Sequence, residues 1–222
     1  MDIATIILIL KTKVPVIDTP QKLRGYIGNK FDNPILHHHS NGQNNVYSYP
    51  KVQYKIIGGT PIIIGIEEGV DVLRSISGEI IELELGDKTY SIEEKQIIEK
   101  NQEFGLTKDL QKYIFLTPWL ALNEKNYSNF NYLQPKEQIL RLHKILTGNL
   151  LSISKFLEYV VLEQINIKTK LQPKKVYSKG IPLIGFDGEF QVNFNIPDYF
   201  GIGKSVSRGF GTVRKYGEIK ET

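Results

Sequence analysis

The sequence predicts an α+β protein made of two units, each with an antiparallel sheet, and three observations lead to this prediction. Roughly the first 90 residues alternate strand-like and helix-like patterns in the order β-α-β-β-α-β. A second series of elements opens with an apolar strand at 112–122 and continues with a long helical pattern at 135–160. The chain of 222 residues has room for two domains of about 100 residues, each with its own core.

The apolar start, MDIATIILIL, predicts a buried strand over residues 3–10. The run is shorter than the roughly 20 apolar residues that span a bilayer. The acidic Asp2 and the following Lys11 and Lys13 do not suit a signal peptide.

A helix is expected after this strand. Thr19 is a suitable N-cap, and Pro20 suits the first helical position. Leu23, Tyr26 and Ile27 recur at helical spacing, so we expect them to face the core.

The next segments complete the first unit. Two β-branched runs around Gly58-Gly59 predict a hairpin, because both turn positions favour left-handed backbone. A short helix at 67–77 precedes an alternating strand with three residues expected on one face: Ile81, Leu83 and Leu85. A β-α-β-β-α-β order is that of the ferredoxin-like fold, whose four-stranded sheet RNA-recognition motifs share.

The second half is predicted to be a modified ferredoxin-like unit. Residues 91–104 suit either a helix with a capping box or further strand. The strand at 112–122 should end or bulge at Pro118. The helix places seven apolar residues on one stripe: Ile139, Leu142, Leu146, Leu150, Ile153, Leu157 and Val160. We therefore expect an N-terminal domain over 1–100 and a C-terminal domain over 101–222.

Composition and charge restrict the kind of site. The chain has no cysteine, which excludes disulfides, thiolate metal sites and cysteine nucleophiles and agrees with a cytoplasmic location. Net charge is +4, and residues 164–222 alone carry ten Lys/Arg against five Asp/Glu. Such a basic segment indicates either an anionic partner, nucleic acid above all, or a solvated lysine-rich surface.

A glycine-rich segment, FGIGKSVSRGFG at residues 200–211, is the most specific motif. Its glycines allow backbone amides to turn inward as an anion nest. It lacks the spacing of a Walker P-loop and of a dinucleotide fingerprint. Four of its side chains suit phosphate binding: Lys204, Ser205, Ser207 and Arg208. The structural alternative is a tight turn before the last strand.

Two further features suit RNA. Lys174 and Lys175, in KLQPKKVYSKG, indicate either a solvated hairpin or a grip on RNA phosphates. The triplet at 37–39 holds three of the four histidines. If that segment is extended, His37 and His39 lie on one face, where two imidazoles can act as an acid and a base on one phosphodiester. A metal site completed by Asp32, and a histidine-rich loop without a role, are the alternatives.

Several stretches together resemble one known family. They are LRGYIGNKF, YPKVQYKIIGGTPIIIGIEEG, FLTPWLALNEKNY, LTGNLLSISKFLEY and IPDYFGIGKSVSRGFGTV. A glycine-rich segment ending in Arg-Gly-Phe-Gly resembles that of the CRISPR-associated superfamily of repeat-associated proteins. The full set resembles its endoribonucleases, which cut precursor CRISPR RNA within the repeats. The resemblance covers residues from about 20 to 215.

The resemblance implies a reaction and its participants. It implies cleavage without metal or other cofactor, by attack of the substrate's 2′-hydroxyl, to give 2′,3′-cyclic phosphate and 5′-hydroxyl ends. The partners it implies are CRISPR repeat RNA and a CRISPR interference complex, but no membrane, and a homodimer is left open. His37 and His39 match the family's His-x-His spacing, while the intervening His38 departs from its usual polar residue and leaves the register open by one.

Other residues near the triplet receive supporting roles. Tyr47, or in its place Tyr49, is expected to orient the 2′-hydroxyl or the phosphate. Lys30 and Lys51 are candidate cations for the charge that builds up on the phosphorus oxygens.

Two other aromatic residues are expected to have structural roles, and two other functions make different demands on the sequence. His143 is expected to be a hydrogen-bonded structural histidine, and Trp119 a core residue. A non-catalytic RNA-binding subunit would keep the glycine-rich segment without needing paired histidines. A small-molecule phosphodiesterase or ligase would need two His-x-Thr/Ser motifs, and this sequence has none.

Overall fold

The computed structural model describes residues 1–37, 49–178 and 180–217. These residues form two compact units. Both units are α+β with antiparallel strand pairs, as the sequence predicts. No helix in the described part of the chain is long and apolar enough to cross a bilayer.

The N-terminal unit consists of Asp2–Gln102 together with Val206–Gly209 from far along the chain. Its elements are β1 (Asp2–Thr12), α1 (Pro20–Phe31), α2 (Pro34–His37), β2 (Val52–Ile57), β3 (Thr60–Ile66), α3 (Glu68–Ile76), β4 (Glu82–Leu85) and β5 (Lys88–Glu103). The strands form one sheet in the order β2-β3-β1-β5-β4. The strand β4 is an addition at the edge of the sheet. The other four strands, in the order β2-β3-β1-β5, have the predicted ferredoxin-like arrangement.

The hairpin of β2 and β3 is confirmed. Ile57 pairs with Thr60, so that Gly58-Gly59 forms the whole turn. The φ angles of the two glycines are +57° and +83°, the left-handed backbone that two-residue hairpin turns require.

Helix α1 begins as predicted. The Thr19 hydroxyl accepts a hydrogen bond from the backbone amide of Lys22 at 3.4 Å, and Pro20 occupies the first turn. Leu23 and Ile27 are fully buried, whereas Tyr26 is only partly buried.

One face of this sheet packs against α1 and α3 to make the core of the unit. The strands contribute Ile6, Leu8 and Ile63, and the two helices contribute Leu23, Ile27, Val70 and Leu73. Burial of such side chains contributes about 1.5–3 kcal/mol each.

The next strands differ from the prediction in two places. Leu83 and Leu85 are buried as expected, but Ile81 is 68% exposed. The reason is that β4 begins only at Glu82, after a 3₁₀ turn at Ser77–Glu79, and the residue that enters the core is Ile80. Residues 91–104 are strand rather than helix, because β5 continues as one 16-residue strand to Glu103.

The C-terminal unit consists of Met1, Glu103–Ser205 and the residues from Phe210 onward. Its elements are β6 (Gly105–Trp119), α4 (Glu124–Asn131), α5 (Pro135–Phe156), β7 (Ile167–Ser178), β8 (Ile181–Asn195) and β9 (Val213–Lys215). The sheet order is β7-β8-β6-β9. The strand order matches that of the first sheet, but the chain between β8 and β9, where a second helix would be, holds the glycine-rich segment and only a 3₁₀ turn at Val206–Arg208.

The bulge in the strand at Pro118 is confirmed, and so is the long helix, although it ends four residues earlier than predicted. The register of β6 against β8 shifts between Phe115 and Trp119, around Pro118. Five of the seven residues of the predicted stripe are buried: Leu142, Leu146, Leu150, Ile153 and the C-cap residue Leu157. Val160 is 71% exposed because the helix ends at Phe156, and Ile139 in its second turn is 46% exposed.

Candidate nucleic-acid interface

The glycine-rich segment has an irregular backbone just before β9. Its φ angles are positive at Gly203, Ser205, Gly209 and Gly211. A Cβ at Gly203 would lie 2.5 Å from Nε1 of Trp119, so a larger residue would displace the segment from this ring. The glycines thus serve close packing as well as left-handed backbone.

Several backbone amides of the segment are used within the protein. Five of them donate to backbone carbonyls at 2.8–3.4 Å: those of Phe200, Ile202, Lys204, Gly209 and Gly211. These amides cannot also cradle an anion, which departs from the expected nest. Any phosphate binding at these positions therefore depends on side chains.

The four predicted phosphate-binding side chains fall into two pairs. Lys204 is exposed and Ser205 half-buried, and both belong to the C-terminal unit. Ser207 and Arg208 belong to the N-terminal unit, in a 3₁₀ turn at Val206–Arg208 that contacts β2 and α1.

Arg24 on α1 joins the second pair, and sequence reasoning missed it. Its Nη1 donates to the hydroxyl oxygen of Ser207 at 3.3 Å, across 183 positions of sequence. Burial, and then the nearby positive charge of Arg208, lower the pKa of Arg24 below its usual range. Its sequence signals were its place beside Leu23 on a predicted helix and its presence in the stretch LRGYIGNKF.

The lysines of β7 lie on an exposed hairpin with β8. Lys174 forms an ion pair with Asp187 at 2.6 Å. The Lys175 ammonium lies 5.6 Å from the centre of the Tyr177 ring. Of the two, Lys174 has part of its charge neutralised, which leaves Lys175 the better cation for a polyanion.

The predicted catalytic residues lie at the edge of the described chain. His37 is the last residue of α2, so its backbone is helical rather than extended, and the alternation argument does not apply to it. Its side chain, His38, His39 and Tyr47 lie outside the described residues. Tyr49 is half-buried.

Helix α2 is held firmly in the N-terminal unit just before His37. The Tyr54 hydroxyl donates to the backbone carbonyl of Leu36 at 3.1 Å, and both residues are fully buried. Burial raises the pKa of Tyr54 well above its usual range, so this donor stays protonated. At the start of α2, the Asn33 side chain accepts from the amide of Ile35 at 2.9 Å.

The two candidate cations near the triplet differ in their partners. Lys51 forms an ion pair with Glu68 at 2.6 Å. The exposed Lys30 donates to the Tyr26 hydroxyl at 3.2 Å and lies near the Tyr26 and Phe31 rings. Only Lys51 is neutralised by a carboxylate, so Lys30 is better placed to act on a phosphate.

Trp119 and His143 have the structural roles predicted for them. Trp119 is fully buried, and its ring nitrogen donates to the Asn149 side chain at 3.1 Å. His143 is partly buried, with Nε2 3.0 Å from the Thr169 hydroxyl, and burial lowers its pKa. Across 1–37, 49–178 and 180–217, no group of three His, Asp or Glu side chains is placed to hold a metal ion.

Comparison with known proteins identifies the family. The Cas6b N-terminal domain model matches residues 1–103, and the Cas6b C-terminal domain model matches residues 105–216. A crystal structure of Cas6b is 38% identical, with a TM-score of 0.85, and the alignment covers 97% of this chain and 100% of that one.

Two further proteins are similar to this chain. A crystal structure described as that of the CRISPR RNA processing endoribonuclease Cas6b is 34% identical, with a TM-score of 0.76, over 97% of this chain and 100% of that one. An uncharacterized protein of Methanocaldococcus jannaschii is 45% identical over 141 residues, which are 61% of this chain and 96% of that protein. Because both domain models match in tandem and the solved Cas6b structures align over nearly the full length, the chain belongs to the Cas6b family.

Proposed function

We propose that this protein is an endoribonuclease that cleaves precursor CRISPR RNA within its repeats. The observation that carries the proposal is the match of both Cas6b domain models, over residues 1–103 and 105–216. The relative of 34% identity, described as a CRISPR RNA processing endoribonuclease, supports the activity. The basic C-terminal quarter of the chain supports an RNA substrate, because cationic side chains attract the phosphate backbone.

The reaction proposed is internal phosphodiester transfer without a metal ion. The substrate's 2′-oxygen forms a bond to the adjacent phosphorus while the bond from phosphorus to the 5′-oxygen of the next nucleotide breaks. The products carry a 2′,3′-cyclic phosphate and a 5′-hydroxyl. One proton leaves the 2′-hydroxyl and one is delivered to the departing 5′-oxygen, so the reaction needs a base and an acid.

We assign these two proton transfers to His37 and His39. Imidazole suits both roles because its unperturbed pKa lies near neutrality. Tyr47 is assigned to orient the 2′-hydroxyl or the phosphate. The anchoring of Leu36 by the buried Tyr54 hydroxyl supports the role of His37, since it fixes the backbone of the preceding residue.

The RNA-binding surface is proposed to include the glycine-rich segment and the β7–β8 hairpin. The side chains assigned to it are Lys204, Ser205, Ser207, Arg208, Lys174 and Lys175. Exposed lysines supply charge, and the Arg208 fork matches phosphate oxygens in geometry. The catalytic residues are assigned to an N-terminal domain of residues 1–100 and the glycine-rich segment to a C-terminal domain of residues 101–222.

The activity is tested by incubating the protein with an end-labelled CRISPR repeat RNA and with an RNA of the same composition in scrambled order. We expect one cut in the repeat and none in the scrambled RNA. Binding of the repeat without any cut would instead identify a non-catalytic RNA-binding subunit. Equal cutting of both RNAs would contradict a repeat-processing enzyme.

The proposal extends to the cellular setting. The processed RNA is passed to, or kept with, a CRISPR interference complex. A chain without cysteine suits the reducing cytoplasm, where the RNA substrate is made. A homodimer remains a hypothesis, which light scattering of the purified protein tests directly.

A further inference from the structure

The 3₁₀ turn at Val206–Arg208 is fixed against α1 and β2 by close backbone packing. A Cβ at Gly209 would lie 2.6 Å from Cγ of Pro20 and 3.1 Å from the carbonyl oxygen of Tyr54. The φ of Gly209 is +83°, which also favours glycine. The segment can therefore lie directly on the start of α1, one turn from Arg24.

This packing brings Arg24 into contact with Ser207, close enough to Arg208 for its positive charge to act on the Arg24 guanidinium. Arg24 donates through Nη1 to the Ser207 hydroxyl at 3.3 Å, and Arg208 follows Ser207 in the chain. Arg24 and Arg208 are both only partly exposed, and Ser207 is 9% exposed. The Ser207 oxygen accepts from Arg24, which leaves the hydroxyl hydrogen free to donate to a third group.

The charges that act on Arg24 differ in sign from those that act on Arg74 of α3. Arg74 is flanked by Glu99 and Asp71, and the hydrogen bonds from these carboxylates raise its pKa. The positive charge of Arg208 lies near Arg24 and, together with burial, lowers the pKa of Arg24. Within the described ranges, Arg208 forms no ion pair. Two like charges held close in a partly buried position cost free energy that a bound anion removes.

We propose that Arg24, Ser207 and Arg208 form one binding site for a single backbone phosphate of the RNA substrate. The two guanidinium forks grip the phosphate oxygens, and the Ser207 hydroxyl donates a third hydrogen bond to the same group. The choice of an RNA phosphate as the anion rests on the proposed function. The new residue is Arg24, which lies 183 positions from its partner and outside the glycine-rich segment.

The site is tested with a series of repeat RNAs, each carrying one neutral methylphosphonate linkage. A 2′-deoxynucleotide lies at each such linkage and at the cleavage site, so that the RNAs remain intact. Equilibrium binding is measured for the wild type, Arg24→Gln, Arg24→Lys and the matched control Arg74→Ala. Melting temperatures verify that each variant is folded.

We expect one linkage at which neutralisation weakens wild-type binding by roughly tenfold, the loss of about one charge-assisted hydrogen bond. The same change should weaken the binding of Arg24→Gln by less than that of the wild type, because one of the two guanidinium partners of this phosphate is already lost. We call the weakening of binding on neutralising this linkage its coupling. The coupling in Arg24→Lys should lie between those of Arg24→Gln and the wild type, and the coupling in Arg74→Ala should equal that of the wild type. Coupling at no linkage, or equal coupling in Arg24→Gln and the wild type, would overturn the proposal.

Cleavage of the unmodified repeat RNA is scored separately. Coupling at one linkage without cleavage by the wild type would support the phosphate site while removing the nuclease proposal. Cleavage by the wild type without coupling would overturn the phosphate site and leave the nuclease proposal intact.

Discussion

At the scale of single residues, the proposal that His37 and His39 are the acid and the base can be tested by substitution. General acid–base catalysis contributes about 10²–10⁴-fold in rate. We therefore expect His37→Ala and His39→Ala each to slow single-turnover cleavage of repeat RNA by about that factor. Because neither residue is assigned to RNA binding, the Kd should change by no more than about threefold.

The matched control for this pair is His143→Gln. His143 contacts Thr169 and is assigned no role in cleavage, so its variant should cut at close to the wild-type rate. A double His37→Ala, His39→Ala variant that cuts as fast as the wild type would contradict the catalytic assignment.

Lys55 on β2 is a second residue with a testable consequence. Its side chain is fully buried, and Nζ donates to the Gln53 side chain at 2.9 Å. Burial lowers the pKa of Lys55 from 10.5 to about 7. A neutral amine can still make the observed hydrogen bond, so the site favours the uncharged form.

The lowered pKa predicts how stability changes with pH. Between pH 7 and 10.5 the unfolded chain carries a proton on Lys55 that the folded protein does not. The free energy of unfolding should therefore rise with pH, by up to about 1.4 kcal/mol per unit, relative to a Lys55→Met variant. Urea unfolding at pH 7, 8 and 9 measures this difference, with the exposed Lys144→Met as control. A wild-type slope equal to that of Lys55→Met would contradict the prediction.

Arg24 shows why part of the candidate site could not be predicted at this scale. The sequence indicated Ser207 and Arg208 from their place among glycines. Their contact with Arg24 depends on the packing of the 3₁₀ turn against α1, which no local pattern encodes. The histidine triplet, by contrast, was a candidate from the sequence because its three residues are adjacent.

At the scale of elements, the packing of Gly209 fixes the 3₁₀ turn. Gly209→Ala introduces a left-handed alanine and a contact at 2.6 Å with Pro20. We expect a loss of about 1–3 kcal/mol in the free energy of unfolding. Thermal or urea unfolding provides the measurement.

Gly148 on α5 is the matched control for this glycine. A Cβ there meets nothing within 4 Å, and the residue is helical. Gly148→Ala should therefore stabilise the protein by about 0.5–1 kcal/mol. Equal effects of the two substitutions would show that Gly209 is not constrained by its neighbours.

Elements with strong local signals could be predicted from the sequence. Thr19 and Pro20 marked the start of α1, and Gly58-Gly59 marked the hairpin turn. Residues 91–104 could not be assigned, because Ser91 and Glu94 imitate a capping box within what is one long strand. The choice between helix and strand is made by the pairing of β5 in the sheet, which is a tertiary effect.

At the scale of the whole molecule, the distribution of charge predicts a salt-dependent affinity. Residues 164–222 carry ten Lys/Arg against five Asp/Glu, including two of the proposed phosphate contacts, Lys204 and Arg208. Each contact to single-stranded RNA contributes about 0.7 to the slope of log affinity against log salt. Lys204→Ala and Arg208→Ala should each weaken binding and reduce the slope by about that amount.

The matched control is Arg74→Ala, which also removes one positive charge. The Arg74 guanidinium already has two carboxylate partners, so its loss should leave the slope unchanged. Filter binding between about 50 and 200 mM salt gives the slopes. An unchanged slope in Arg208→Ala would mean that this side chain contacts no phosphate.

The tandem ferredoxin-like architecture was predictable because both halves carry strong strand and helix patterns. Membership of Val206–Gly209 in the N-terminal unit was not, since those four residues are separated from Gln102 by more than 100 positions of sequence. Chain order assigns them to the second domain, and only their contacts assign them to the first unit.

The most direct test of the account compares two repeat RNAs, both incubated with the protein in EDTA. They differ only in the nucleotide before the cut, which carries a 2′-hydroxyl in one RNA and a hydrogen in the other. We predict that the first is cut to a 2′,3′-cyclic phosphate and a 5′-hydroxyl, identified by mass spectrometry, and that the second stays intact. Cutting of the deoxy-substituted RNA, or 3′-hydroxyl and 5′-phosphate ends on the products, would contradict the account.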